Sequence, residues 1–153
     1  MEKIIQVSDL IQEDHIIDIQ SDSKDSSLHE LLDVISRSEL ITDPETFRRE
    51  IFKREKLMST GIGYGIAIPH ARHSSVKDFV IVLGRKKTGL KYESIDDKPV
   101  KLIFMIGASD KQDKEYIRLL SRLILRLKNK SFIENLLSAA GAEEMHKIIR
   151  EQK

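Results

Sequence analysis

Cysteine is absent from the 153 residues, which removes disulfides and thiolate zinc sites and fits a reducing compartment. A dominant charge sign is missing as well. The 26 basic and 25 acidic residues leave a formal charge of +1, so no overall field draws the chain toward nucleic acid or acidic lipid. Long apolar runs are also lacking: FVIVLG and LIFMIG fall far short of the ~20 residues that a membrane helix needs. Direct membrane insertion is therefore not expected, and these runs read as buried strands. The opening MEKIIQVSDLIQEDHIID is charged every few residues, with no apolar h-region or small-residue cleavage site, so a cytoplasmic location is expected. There is no internal repeat and no low-complexity segment.

With 40% apolar residues, a chain of this length can bury a real core, and residues 1–153 read as one domain. HIIDIQ (15–20) is short and β-branched, and the polar loop SDSKDSS follows it. In SSLHELLDVISRS, Leu28, Leu31, Leu32 and Ile35 recur at helical spacing, and Ser27 with Glu30 has the separation of a capping box. Asp43-Pro44 opens a second helix through FRREIFKREKL, which the following glycines are expected to end. From Phe79 the pattern turns strand-like: DFVIVLGRKK, the turn-bearing TGLKYESIDDKP, then VKLIFMIGAS. After Asp113, Ile117, Leu120, Ile124 and Leu127 form one helical stripe with Leu119 and Leu123 beside it. Ser131 and Glu134 repeat the capping-box spacing before SFIENLLSAA, Gly141 is a stop signal, and EEMHKIIREQK is a last amphipathic turn or two. The expected class is α/β (α+β): a central mixed β-sheet covered by helices on both faces. The charge runs FRREIFKREK and GRKK read as solvated faces, with one arginine as a possible exception.

Chemistry concentrates in GIGYGIAIPHARH, residues 61–73. Three glycines within five residues allow close backbone approach or positive φ. The spacing is not that of a dinucleotide fingerprint, and no lysine and serine or threonine follow as a P-loop requires. Proline in Ile68-Pro69-His70 stiffens the backbone that presents His70. A neutral imidazole can serve as base, metal ligand or nucleophile, and a loop-capping histidine is the plain alternative.

REKLMSTGIGYGIAIPHAR (54–72), TGLKYESIDDKPVKLIFMI (88–106) and EYIRLLSRL (115–123) resemble the IIA domains of the bacterial phosphoenolpyruvate:sugar phosphotransferase system. The likeness is to the fructose/mannitol type, including the nitrogen-regulatory IIA proteins, and it extends from about Ile5 to Ile149. It implies that His70 accepts a phosphoryl group from HPr or an HPr-like carrier and passes it to a IIB domain or a regulatory target. No cofactor or metal is implied. The family's arginine sixteen residues before its histidine matches Arg54, whose planar guanidinium suits phosphoryl oxygens; otherwise Arg54 is one more surface arginine. Thr60 matches a family threonine whose hydroxyl or amide can orient the ring or bind phosphate, with helix termination as the competing role.

One departure stands out. Many members have a second histidine where this chain has Tyr116, and a phenol with a reference pKa of ~10 cannot supply an imidazolium's charge. Tyr116 either helps to orient His70 or its phosphate, or simply packs. Ile62, Tyr64, Ile66 and Ile68 are candidates for an apolar docking surface, with core packing expected for at least two of them. His73 makes an H-x-x-H pair with His70, too weak a signal for a metal site, and His15, His29 and His146 are assigned no function. Without IIB-like, HPr-like or membrane segments in the sequence, the expectation leans to the regulatory branch. The alternative is a non-catalytic regulatory binding protein with the same fold.

Overall fold

The computed structural model describes residues 6–151. Its elements are α1 (Val7–Leu10), a 3-10 turn (Glu13–His15), β1 (Ile16–Asp18), α2 (Lys24–Ile35), α3 (Pro44–Leu57), β2 (Gly61–Gly63), β3 (Ile66–Ala67), β4 (His70–Arg72), β5 (Val80–Leu90), β6 (Val100–Ala108), α4 (Asp113–Leu127), α5 (Lys130–Ser138) and α6 (Ala142–Glu151). The strands form one mixed sheet in the order β1-β5-β6-β3-β2, and β4 continues alongside β6 beyond β3. β5 and β6 are antiparallel, whereas β1 runs parallel to β5 and both β3 and β4 run parallel to β6.

Alternation along the two long strands divides the core. Ile81 and Leu83 of β5 with Leu102, Phe104 and Ile106 of β6 meet α4, α5 and α6 through Leu119, Leu123, Phe132, Leu136, Met145 and Ile149. The intervening Val80, Val82, Ile103 and Met105 face α2 and α3 through Leu28, Leu31, Ile35, Phe47 and Ile51. This period of two is what a sheet buried on both faces requires. The α/β (α+β) single-domain expectation, with helices on both faces, is met. Gly84 sets how closely α2 can approach, because a Cβ there would lie 2.7 Å from Leu31 Cδ2 and 2.8 Å from Ile19 Cδ1.

Several local expectations are corrected. Helix α2 starts four residues before the Ser27 cap would place it, at Lys24, with Ser23 Oγ accepting from Ser26 N–H. Ser27 is buried, and Glu30 turns back to accept from Gln20 N–H, Ser21 N–H and Ser21 Oγ–H. Asn129, not Ser131, caps α5 by accepting from Phe132 N–H. That helix ends at Ser138, so Gly141 precedes α6 and stops nothing. Residues 88–90, read as the beginning of a turn, still belong to β5. α1 was not foreseen, and α6 is a full ten-residue helix up to Glu151; the last two residues of EEMHKIIREQK lie outside the described residues.

On α4 the buried stripe is Leu119, Leu123 and Leu127 flanked by Tyr116 and Leu120, whereas Ile117 is 65% exposed and Ile124 lies at the surface. The charge runs are not wholly solvated either. Arg85 is 1% exposed: its guanidinium pairs with both Asp18 oxygens at 2.6 and 3.0 Å and donates to the carbonyls of Leu136 and Ala139 at 2.9 and 2.8 Å. It thereby ties β1 and β5 to the end of α5. Glu55, in the other run, is also buried.

Asp43 caps α3 as expected, accepting from Thr46 N–H at 3.2 Å with Pro44 in the first turn. Its other end is closed by side chains before any glycine is reached. The carbonyl of Met58 accepts from Arg54 Nη1, and Glu55 accepts from Thr60 N–H at 3.0 Å. The chain then enters the β2–β3 hairpin through Gly63, Tyr64 and Gly65, at φ +93°, +58° and +76°. Two of these three left-handed positions are glycine, which adopts that region without a Cβ penalty.

Candidate functional site

His70 begins β4, registered against Ile106 of β6, and the Pro69 carbonyl accepts from Ile106 N–H at 2.9 Å. The imidazole is therefore mounted on the sheet, at the floor of a cavity of about 330 Å³. Helix α3 supplies one wall through Glu50, Lys53, Arg54 and Leu57, whose spacing of i, i+3, i+4 and i+7 places them on one helical face. Strand β4 adds Arg72, which shares its side of the strand with His70 by the period of two, and α4 adds Tyr116. Lys53, Arg54 and Arg72 against Glu50 make the lining net cationic, suited to an anion.

The ring of His70 has a defined proton. Its Nδ1 lies 2.6 Å from the Ile68 carbonyl oxygen, which can only accept, so Nδ1 carries the hydrogen and Nε2 the lone pair. Burial holds the His70 pKa below its ordinary value, the Ile68 carbonyl pulls it upward, and the nearby Arg54 cation pushes it down again. At neutral pH the ring is uncharged and nucleophilic at Nε2.

Arg54 uses one N–H on the Met58 carbonyl, at 2.9 Å, out of five guanidinium donors. Tyr116 has its ring centroid 6.0 Å from that of His70, tilted by 53°. Burial pushes its phenol up to about 12 despite Arg54 and Arg72 nearby, so Tyr116 remains a neutral O–H donor. Arg72 pairs with Asp113 at the start of α4, and its guanidinium carbon lies 5.9 Å from the centre of the Tyr116 ring. The predicted residues His70, Arg54 and Tyr116 thus share one cavity.

Thr60 does not join them. It is buried, its N–H and hydroxyl are both bound by Glu55, and its hydroxyl oxygen lies 2.9 Å from Tyr92 Oη. Of the proposed apolar docking set, Ile66 and Ile68 are buried in the core, Ile62 is half-buried, and Tyr64 is 82% exposed. Other exposed apolar side chains are Leu57 at the cavity, Met58 after it, and Ile117 beside Tyr116.

His73 lies with Nδ1 3.0 Å from Ser75 N, whose hydrogen it accepts, which directs Nε2 toward Glu50 at 3.8 Å. His29 Nδ1 accepts from Arg48 at 2.8 Å, whereas His15 is buried. Arg72 and Lys53 escaped sequence reasoning, although the two-residue offset of Arg72 from His70 and the one-turn neighbourhood of Lys53 and Glu50 were visible signals.

Residues 9–152 match the family model described as "Phosphoenolpyruvate-dependent sugar phosphotransferase system, EIIA 2". The chain belongs to this EIIA family. It is 36% identical over 135 residues to the fructose-specific EIIABC component of Bacillus subtilis, covering 88% of this chain but 21% of that longer protein. The crystal structure of nitrogen regulatory protein IIA-Ntr from Neisseria meningitidis superposes with a TM-score of 0.86 at 32% identity, covering 94% of this chain and 98% of that one. The enzyme IIAMTL–phosphorylated enzyme IIBMTL complex of Escherichia coli matches at a TM-score of 0.78 and 21% identity, over 94% of this chain and 100% of that one, which extends the shared fold. EIIA proteins are components of a phosphotransferase system. Among the described residues of this EIIA chain, no helix is long and apolar enough to cross a membrane.

Proposed function

We propose that this EIIA chain is a cytoplasmic phosphoryl carrier that takes a phosphoryl group on Nε2 of His70 from HPr or an HPr-like phosphohistidine protein. It then passes the group to a IIB domain or uses it to control a regulatory partner. The observation that carries this reading is the 2.6 Å approach of Nδ1 to the Ile68 carbonyl, which leaves the Nε2 lone pair in a cation-lined cavity.

In the transfer, the Nε2 lone pair forms a new N–P bond as the carrier's N–P bond breaks, and the electron pair of that bond returns to the carrier's imidazole nitrogen. The proton stays on Nδ1, donated to the Ile68 carbonyl, throughout, so no base is needed. Catalysis reduces to in-line placement and to donors that meet the charge of the phosphoryl oxygens. Arg54 and Arg72 flank the site as such donors, and the Tyr116 hydroxyl is a third.

The name of the Escherichia coli complex includes a phosphorylated IIB partner, and Leu57, Met58, Tyr64 and Ile117 offer exposed apolar surface for docking either carrier. A non-catalytic binding protein on the same fold is the second reading. It is favoured by Tyr116, which brings no charge of its own to the site.

The test is incubation with phosphoenolpyruvate, enzyme I and HPr, followed by detection of acid-labile phosphate. Labelling of the wild type and its loss in His70→Ala are expected. Labelling that persists in His70→Ala removes the assignment, and an unlabelled wild type supports the binding-only reading.

A further inference from the structure

Behind His70, outside the cavity, lies a buried group that the phosphoryl reaction as drawn above does not use. Glu55 is 8% exposed, yet both of its oxygens are engaged. Oε1 accepts from Thr60 N–H and pairs with Lys24 Nζ, each at 3.0 Å, and Oε2 lies 2.7 Å from Thr60 Oγ1. Burial alone would raise the carboxyl pKa, but the two Thr60 bonds and Lys24 hold it below its usual value, so it is ionised. An ionised carboxylate only accepts, so Thr60 Oγ1 donates its single proton to Glu55. The 2.9 Å contact from Tyr92 Oη must then have Tyr92 as the donor. Burial and the Glu55 charge push the Tyr92 phenol further from ionisation, and Lys24 Nζ lies 4.2 Å from the centre of its ring. Proton direction is thus fixed at every link.

The chain of contacts does not stop at Thr60. Its carbonyl accepts from Ile68 N–H at 3.0 Å, and the Ile68 carbonyl is the group that holds His70 Nδ1 at 2.6 Å. Glu55 fixes Thr60, Thr60 holds the backbone N–H of Ile68, and the carbonyl of the same residue, kept extended by Pro69, fixes the imidazole. A buried ion pair is weak support for stability, since apolar replacements of similar volume are often neutral or stabilising. Its location behind a reactive histidine calls for a functional reason.

We propose that Glu55 is a positioning residue, which through Thr60 and Ile68 holds His70 in the Nδ1–H tautomer with Nε2 aimed into the cavity. For the phosphoryl reaction, this rests on the reading of His70 as the acceptor. Thr60 acquires the ring-orienting role its sequence position implied, exercised through its backbone and not by touching phosphate.

Nitrogen-15 NMR of the His70 ring together with phosphorylation kinetics tests the inference. In Glu55→Gln the amide cannot accept from Thr60 on both sides. The expected outcome is a mixture of Nδ1–H and Nε2–H tautomers at neutral pH and a fall of about 10- to 100-fold in the rate at saturating carrier. KM for the carrier should stay within about twofold, because the docking surface is untouched. Thr60→Val keeps the backbone N–H and removes the hydroxyl, so it should move the tautomer the same way with a smaller loss of rate. It decides the matter if Glu55→Gln does not fold. Wild-type tautomer and wild-type rate in a folded variant overturn the proposal. Should the wild type accept no phosphate, the acceptor reading fails, while the tautomer comparison alone still supports the positioning role if it shifts and removes it if it does not.

Discussion

His70 Nδ1 and the Ile68 carbonyl oxygen are 2.6 Å apart, a contact between residues separated by a single proline. Pro69 fixes its own φ and keeps Ile68 extended, so the carbonyl is held where the ring of His70 can reach it. The hydrogen bond commits Nδ1 to proton donation and leaves the lone pair on Nε2, a distinction between the two nitrogens that the sequence left open.

Burial keeps the His70 pKa below 6.5, with Arg54 adding to the effect against the pull of Ile68. The titration midpoint of His70, followed by NMR, is therefore expected below 6.5, so Nε2 should keep its lone pair to lower pH than in a free histidine. The stability linkage has the same origin. As pH falls through 6.5, the unfolded chain binds the proton first, so folding stability declines from there until His70 protonates in the fold. His70→Ala should flatten that part of the stability profile. A midpoint at or above 6.5 would remove both expectations.

Arg54 acts on the cavity and on the end of its own helix. Arg54→Ala is expected to lower the rate of phosphorylation about 100-fold, the scale of losing one preorganised donor at a charge that develops in the transition state. It also removes the bond to the Met58 carbonyl, so a small loss of stability should accompany it. Arg54→Lys keeps the charge without the planar fork and should recover part of the rate. Stopped-flow transfer from phosphorylated carrier checks this, and wild-type rates in Arg54→Ala would place the arginine outside the reaction.

The elements that position the site were legible because they rest on local sequence pattern. Short continuous apolar runs, VIVL and LIFMI, marked the two long strands, and Asp43-Pro44 marked the helix that carries Arg54. The errors came where several residues compete for one role. SDSKDSS offers more than one serine as a cap, and Ser23 wins because Glu30 is drawn back to the Gln20–Ser21 loop. On α4, two apolar stripes overlap in a leucine-rich stretch, and only packing on the sheet selects Leu119, Leu123 and Leu127. Within the site, the resemblance supplied His70 and Arg54, and simple strand spacing would have supplied Arg72. Glu55 was hidden in a charged run, because nothing local distinguishes a buried glutamate from its solvated neighbours.

Arg85 is the clearest stability determinant among the polar groups. Arg85→Ala would leave the carbonyls of Leu136 and Ala139 without this donor and Asp18 without its cation. A loss of about 3 kcal/mol is expected, at the low end for breaking a buried pair because Asp18 is half exposed. Urea unfolding measures it. The Arg85 hydrogen bond holds the Asp18 carboxyl below its usual 3.8 against the effect of burial. This contribution is complete above that value and is lost as pH falls through the folded pKa. An Arg85→Ala protein as stable as wild type would show that water replaces all four contacts.

Tyr116 stands where the family resemblance implies a second histidine. Its ring stands 6.0 Å from that of His70, and its phenol, at about 12, is a neutral donor throughout the working range. If that hydroxyl bonds a phosphoryl oxygen in the transition state, Tyr116→Phe should lower the rate about tenfold, since it deletes one donor and little volume. Tyr116→His should behave differently. A ring able to protonate adds positive charge beside the phosphoryl group, so its transfer rate should rise relative to wild type as pH falls toward the imidazole range. Arg54 and Arg72, both near Tyr116, oppose that protonation and should displace the rise to lower pH than a free imidazole would show. Comparing the two variants over pH 5.5 to 8 (roughly the histidine range) separates the effects of donor and charge. Unchanged rates in both would mean that Tyr116 only packs, and that His70 with the flanking arginines carries the transfer alone.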